Sequence, residues 1–213
     1  MSEQPRIYVA CIASYNNGRL HGKWIDATTD VEEMQEEVSK VLASSKFPNV
    51  DAVQCQECER VVLYTDRIEL PDCESCGGRN KEIRSAEEWA IHDYEGLSNI
   101  GEFSGLKAVA YQVAIIEAAD DIGIPGEVAS QYINDFGDGL DAEDIKSELE
   151  NNFGGAFHRL DEWAMDQAED MGYLGPDNNP LISYVDWESV ARDWIMDYYT
   201  VECDGYTYIF YNH

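Results

Sequence analysis

Basic side chains are scarce in this sequence. Lys and Arg number 14 against 43 Asp and Glu in 213 residues, a formal net charge of −29. Direct nucleic-acid binding needs basic patches that neutralise phosphates, and this balance disfavours it. Long apolar runs are also missing. Nothing approaches the roughly 18 consecutive apolar residues of a membrane span. The opening Met1-Ser2-Glu3-Gln4-Pro5 lacks the apolar core of a secretory leader. The expected location is cytoplasmic, with no membrane partner. Catalytic signatures are missing too: no HExxH, Walker A, GxSxG or Gly-rich dinucleotide fingerprint occurs. The histidines, His21, His92, His158 and His213, are scattered, and His92 between Ile91 and Asp93 reads as structural. A calcium loop fails as well. Its nearest frame starts at Asn134 and has Gly139 sixth, but puts Phe136 third and Ile145 twelfth. With so many carboxylates, the presence of an acid/base pair carries no information. The chain does not read as an enzyme.

What is present begins with material for a core. Hydrophobic residues make up 44%, with 5 Trp, 13 Tyr and 6 Phe, so wholesale disorder is excluded. The charge is unevenly spread. Residues 1–97 hold 19 acidic and 10 basic side chains, residues 98–170 hold 17 and 3, and residues 171–213 hold 7 and 1. Ion pairing within the chain cannot neutralise the second half, and a basic partner is the natural inference.

The predicted architecture is α+β in several domains. Ile7–Ile12 and Leu20–Ile25 are rich in β-formers and flank Asn16-Asn17-Gly18, the pattern of a hairpin. Asp30 reads as a helix N-cap with Glu33 three residues on, before Val31, Met34, Val38, Val41 and Leu42 at helical spacing. This N-terminal domain, residues 1–97, is interrupted over 47–84 and resumes at Glu87. A central helical domain is expected over 98–138. One helix there would bury Leu106, Val109, Ala110, Val113 and Ile116, and a second would run from Gly126 to Gly137 with Val128, Ile133 and Phe136. A C-terminal α+β domain is expected over 139–213. Its first helix would be capped by Asp141 with Ile145, Leu149 and Phe153 inward. Its second would run from about Ala156 to Met171, with Phe157, Leu160, Ala164 and Met171 inward and Gly172 as C-terminal cap. Asp186 would cap a third with Trp187, Val190, Ala191, Trp194, Ile195 and Tyr198 on one face, and Asp204-Gly205 would turn a final hairpin.

The outer faces of these helices are acidic. Glu162, Asp166 and Asp170 form an i, i+4, i+8 row, with Asp161 and Glu169 alongside. Such like-charge neighbours cost about 0.2–0.5 kcal/mol each where Glu–Lys pairs would stabilise. Asp135, Asp138, Asp141, Glu143, Asp144, Glu148 and Glu150 crowd one short stretch, and Asp120, Asp121 and Glu127 precede them. One charge run is ordinarily a solvated helix face. Several in succession, almost without Lys or Arg, point to a function outside folding. These carboxylates are the candidate partner surface.

The cysteines carry a second signal. Cys55-x-x-Cys58 and Cys73-x-x-Cys76 have the spacing of a structural zinc site with four thiolate ligands, and Gly77-Gly78 suits a tight knuckle. Two disulfides are the alternative, which a cytoplasmic location disfavours. The insert is too short to hold a core without metal, and four cysteine ligands leave no open position for catalysis. Cys11 and Cys203 fall in expected strands and should be buried.

Two segments resemble a known family. Arg6-Ile7-Tyr8-Val9-Ala10, continuing through Tyr15-Asn16-Asn17-Gly18-Arg19-Leu20-His21-Gly22-Lys23-Trp24-Ile25, is similar to the N-terminal signature of ArdA antirestriction proteins. So is Glu88-Trp89-Ala90-Ile91-His92-Asp93-Tyr94-Glu95 followed by Ile100-Gly101-Glu102. The resemblance implies an elongated three-domain molecule, a homodimer through its C-terminal region. It further implies a curved carboxylate surface imitating bent DNA, and a type I restriction–modification enzyme as target, its methyltransferase core occupied in place of DNA. Two copies would carry a formal charge of −58, that of about 29 base pairs or about 100 Å of duplex. The four-cysteine insert departs from the family pattern and reads as a stability staple, since Arg60, Arg67 and Arg79 are too few for a nucleic-acid site. The rival reading is an acidic zinc-ribbon adaptor or chaperone for another basic DNA-associated protein.

Overall fold

The computed structural model describes residues 4–63, 71–98, 100–137, 139–175 and 179–211. Among these are seven α-helices and three antiparallel sheets of three strands, a mixed α+β chain. Two compact units, 1–114 and 115–213, each have their own core.

In the first unit, β1 (Arg6–Cys11) buries Ile7, Val9 and Cys11 completely. The expected tight hairpin differs in its connection. β1 runs into a short helix, α1 (Ile12–Asn16), and Gly18 at φ +74° follows that helix rather than a two-residue turn. β2 (Gly22–Asp26) then pairs antiparallel with β1 as the alternation requires. Gly22 faces Ala10 in this register, and a Cβ there would lie 2.3 Å from the Val9 carbonyl oxygen. Asp30 caps α2 (Val31–Ala43), its Oδ1 accepting from the amides of Glu32 and Glu33 at 2.9 and 3.0 Å. Glu33 is engaged by the Thr28 hydroxyl at 3.5 Å. Met34, Val38, Val41 and Leu42 are buried as the spacing predicts.

The insert forms its own sheet of β3 (Val50–Cys55), β4 (Val61–Leu63) and β5 (Asn80–Ser85), with β3 central. Its ends meet: the Asn49 amide donates to the Ser85 carbonyl at 2.9 Å, and the Ala86 amide to that of Leu42 at 3.1 Å. The chain then returns as β6 (Trp89–Glu95) on the free side of β1. In α3 (Gly105–Ile122), Leu106, Val109, Ala110 and Val113 join the first core. Ile116 is only half-buried. Ile115, Ala118 and Ala119 are buried instead, because the apolar stripe rotates where the helix passes into the second unit.

In the second unit, α4 (Gly126–Phe136) follows Pro125 and ends where the Gly137 amide reaches the Ile133 carbonyl. Phe136 is largely exposed rather than inward. α5 (Ile145–Asn152) starts at Asp144, not under an Asp141 cap, and buries Ile145 and Leu149. The four-residue spacing then misleads. Phe153–Phe157 is a strand, β7, and not helix. Gly154 and Gly155 are poor helix formers, at about 1 kcal/mol each relative to Ala, and Gly155 sits at φ +126° in a bulge opposite β9. α6 is correspondingly shorter, Leu160–Asp170, burying Trp163, Ala164 and Ala168, with Met171 exposed. Gly172 does cap it: its amide reaches the Glu169 carbonyl and that of Tyr173 the Ala168 carbonyl, both at 2.8 Å. Asp186 caps α7 (Trp187–Trp194) through the Ser189 amide at 3.2 Å. β8 (Tyr198–Cys203) and β9 (Tyr206–Tyr211) turn at Asp204 and Gly205, both at positive φ, and β9 lies between β7 and β8. Trp163, Ala164, Ala191 and Ile209 form the centre of this core. No helix among the described residues is long and apolar enough to cross a membrane.

Two substitutions separate cap from core. Asp30→Ala should lower unfolding stability by about 1 kcal/mol, and Trp163→Ala by about 3–5 kcal/mol. Urea midpoints read with an unchanged slope check both.

Candidate functional site: carboxylate faces and a four-cysteine cluster

All fifteen candidate carboxylates belong to the second unit. Asp138 lies outside the described residues, as do Arg67 and His213. Of the other fourteen carboxylates, twelve are exposed, and Asp161 and Glu148 are half-buried. α6 presents Glu162, Asp166, Glu169 and Asp170 outward while burying Trp163, Ala164 and Ala168. The helical period thus assigns opposite jobs to neighbouring residues. Asp141, Glu143 and Asp144 are exposed in the approach to α5.

Several carboxylates are engaged inside the unit. Lys146 holds Asp121 at 2.7 Å and approaches Glu150 at 3.9 Å. Arg159 pairs with Asp161 and lies 3.8 Å from Glu162, so Asp161 belongs to a local ion pair as much as to the outer face. Glu148 accepts from the Tyr132 hydroxyl at 3.0 Å and the Asn152 amide at 2.9 Å. Asp135 accepts from the Tyr199 hydroxyl at 2.5 Å, and Glu127 from the Cys203 thiol at 2.7 Å. Pattern reading misses these three anchors. Tyr199 and Cys203 are 64 and 76 residues from their carboxylates, and no local signal connects them.

The anchors also set proton affinities. Burial and then the Asp135 carboxylate push the Tyr199 phenol up to about 12. Burial and then Glu148 raise Tyr132. The bond to Glu127, followed by burial, lifts the Cys203 thiol from 9.0 to about 11. All three are neutral near pH 7.

The second cluster lies in the first unit. Cys55 ends β3 and Cys58 follows in the turn to β4, while Cys73 and Cys76 occupy the turn before β5. The Cys55 amide donates to the Arg60 carbonyl at 3.0 Å, and the Cys73 amide to the Gly78 carbonyl at 2.7 Å, closing two matching knuckles. Glu59 and Gly77 take the positive φ values these turns need. A Cβ on Gly78 would sit 3.0 Å from the Cys55 sulfur. The four sulfurs lie within 4.8 Å of one another. The Cys55–Cys76 and Cys58–Cys73 separations are 3.5 and 3.6 Å. A disulfide needs about 2.05 Å, whereas tetrahedral ligands at about 2.3 Å from one ion stand about 3.8 Å apart. The arrangement fits a metal ion. Amides of Cys58 and Glu57 hold the Cys55 thiol down to about 7, whereas Cys76, despite the Gly78 amide, is pushed up to about 12 by Cys58 and Cys55. Four sulfurs so close cannot all ionise without a cation among them. Arg60 lies 3.6 Å from Glu36 on α2, tying the insert to the first unit's helix.

The sequence profile of the family described as antirestriction protein (ArdA) matches residues 7–208. The chain belongs to the ArdA antirestriction family. No curated protein matches it. The ArdA match spans the four-cysteine insert as well as both units, and membership carries antirestriction as the function. Among the described residues, the four cysteines are the one group of ligand-type side chains close enough to hold a metal ion.

Two measurements test these arrangements. Elemental analysis should find one transition-metal ion per chain. Cys55→Ser should lose it and lower the melting temperature, and a strong chelator should do the same to the unaltered protein. The anchored hydroxyls and thiol predict alkaline weakening of the second unit. Folded-state values above the unfolded ones give stabilisation that is complete below the unfolded values and lost as pH rises through the folded ones. Urea midpoints should therefore fall between about pH 9 and 12. Cys203→Ala should flatten the lower part of that fall and Tyr199→Phe the upper.

Proposed function

We propose that this ArdA protein is a DNA mimic. Its exposed carboxylates take the place of phosphates in the DNA groove of a type I restriction–modification enzyme, at the methyltransferase core. The observation that carries the reading is the segregation on α6: Trp163, Ala164 and Ala168 buried on one side, Glu162, Asp166, Glu169 and Asp170 exposed on the other with no basic residue in the helix. A helical i, i+4 row offers one charge per about 6 Å of rise. Duplex DNA offers one per about 1.7 Å of axis. Between three and four such rows are needed to match that density, and the second unit supplies carboxylates from α3, α4, the approach to α5, α5 and α6. The protein works by occupancy and not by catalysis, in the cytoplasm, as a homodimer through residues 139–213. Exposed Leu181, Tyr184 and Met196, at 67%, 85% and 80%, support a protein contact in that region. The metal for the first unit would be zinc, in a structural role, because four cysteine sulfurs close enough to share one ion are the ligand set that suits it.

Competition between the purified protein and duplex DNA for a type I methyltransferase core tests the reading. Stoichiometric displacement should occur, and affinity should fall as salt rises. Exchanging one exposed carboxylate for its amide should change affinity less than about fivefold, the range of exposed pairs. The triple change Glu162→Gln, Asp166→Asn and Asp170→Asn should lower it by about tenfold or more at low salt. DNA that stays bound at saturating protein would end the mimicry reading in favour of another basic partner.

A further inference from the structure

The second unit holds an open cavity of about 340 Å³ lined by Met171, Tyr173, Trp194, Asp197, Tyr198 and Tyr211. Tyr173 and Trp194 lie edge to face, ring centres 6.2 Å apart, and Tyr198 and Tyr211 are tilted at 5.8 Å. The deeper rings are fixed from behind. Tyr198 stands edge-on to buried Trp163 at 5.1 Å, and Trp194 packs on the Trp163–Ile209 core. Tyr173 is 70% exposed, yet its backbone is held by the hydrogen bonds that close α6. A rigid floor thus carries an open aromatic rim.

Aromatic faces bear negative partial charge and attract cations, with Trp strongest and Arg the most frequent guest. A carboxylate beside them adds full charge of the same sign. We infer that this cavity is a receptor for one cationic side chain, arginine in the first instance, presented by the basic partner protein. The inference deepens the mimicry reading and rests on it: the carboxylate surface steers the partner, and the pocket anchors it. Charge complementarity favours this occupant over a second copy of the chain, which carries a formal net charge of −29. In the second unit the basic side chains are Lys146, Arg159 and Arg192. Lys146 and Arg159 already hold Asp121 and Asp161, and Arg192 donates to the Ser189 hydroxyl at 3.1 Å. A DNA-binding partner is rich in arginines whose phosphate ligands the mimic displaces. Buried Trp, Tyr and Arg contacts also dominate binding energy at protein interfaces.

The test uses the full-length protein and two small probes of one shape: N-acetyl-arginine methylamide, and its neutral analogue built on citrulline. The indole N–H of Trp194 is followed by NMR during titration. The arginine probe should give a saturable shift and the citrulline probe none. Tyr173→Ala and Asp197→Asn should each weaken the arginine response about two- to fivefold, with the remaining Trp signals unchanged as evidence of an intact fold. Equal responses to both probes, no response to either, or no effect of the two substitutions would each overturn the inference. So would conversion of dimer to monomer by Tyr173→Ala without any probe response, which would assign the surface to a second copy. The two readings fail separately: a saturable arginine response from a protein that does not displace DNA would keep the pocket and remove the mimicry.

Discussion

Like charges confined to one small body repel, and a chain with 43 carboxylates and 14 basic side chains must fold against that repulsion. The second unit meets it by separating charge from packing within each helix. On α6, Trp163, Ala164 and Ala168 are buried while Glu162, Asp166 and Asp170 point to solvent, where water screens them. Aromatic contacts then supply cohesion that charge withholds. Tyr132 and Phe210 stack at 4.3 Å, Phe136 and Tyr199 meet edge to face at 4.8 Å, and Trp163 sits at the core. Lys146 with Asp121 and Arg159 with Asp161 add local neutralising contacts.

Salt consequently acts in opposite senses on folding and on binding. Screening relieves repulsion within the chain and weakens attraction to a basic partner. Under the proposed mimicry the same carboxylates would govern both effects, so tuning them for one would act against the other.

Legibility in the sequence followed the range of the determining contact. The Asp30 and Asp186 caps, the Asp204-Gly205 turn, the Gly172 cap and the paired CxxC knuckles are all set within a few residues, and all were readable. Strand β7 was not. Leu149, Phe153 and Phe157 mimic helical spacing, while the pairing of Phe153 with Phe210 spans most of the second unit. The Gly154-Gly155 pair was the available warning. The carboxylate rows were legible from helical period alone. Their internal partners Tyr132, Tyr199 and Cys203 were not, because only the tertiary fold brings them near. Family resemblance rested on the β1–β2 and β6 segments, which are neighbours in one sheet though separated by most of the first unit.

That separation has a kinetic side. Arg6 and Glu95 pair across 89 residues, and closing so long a segment is entropically unfavourable and slows folding. The insert begins and ends at adjacent points of the first unit, where Asn49 meets Ser85 and Leu42 meets Ala86. A ribbon that condensed first around a metal ion would behave as a short bridge between α2 and β6. The effective loop that β6 must close is then a fraction of its length in residues. A metal ion held by the four cysteines would thereby govern how quickly the first sheet assembles, and how long its unpaired strands stay open to aggregation.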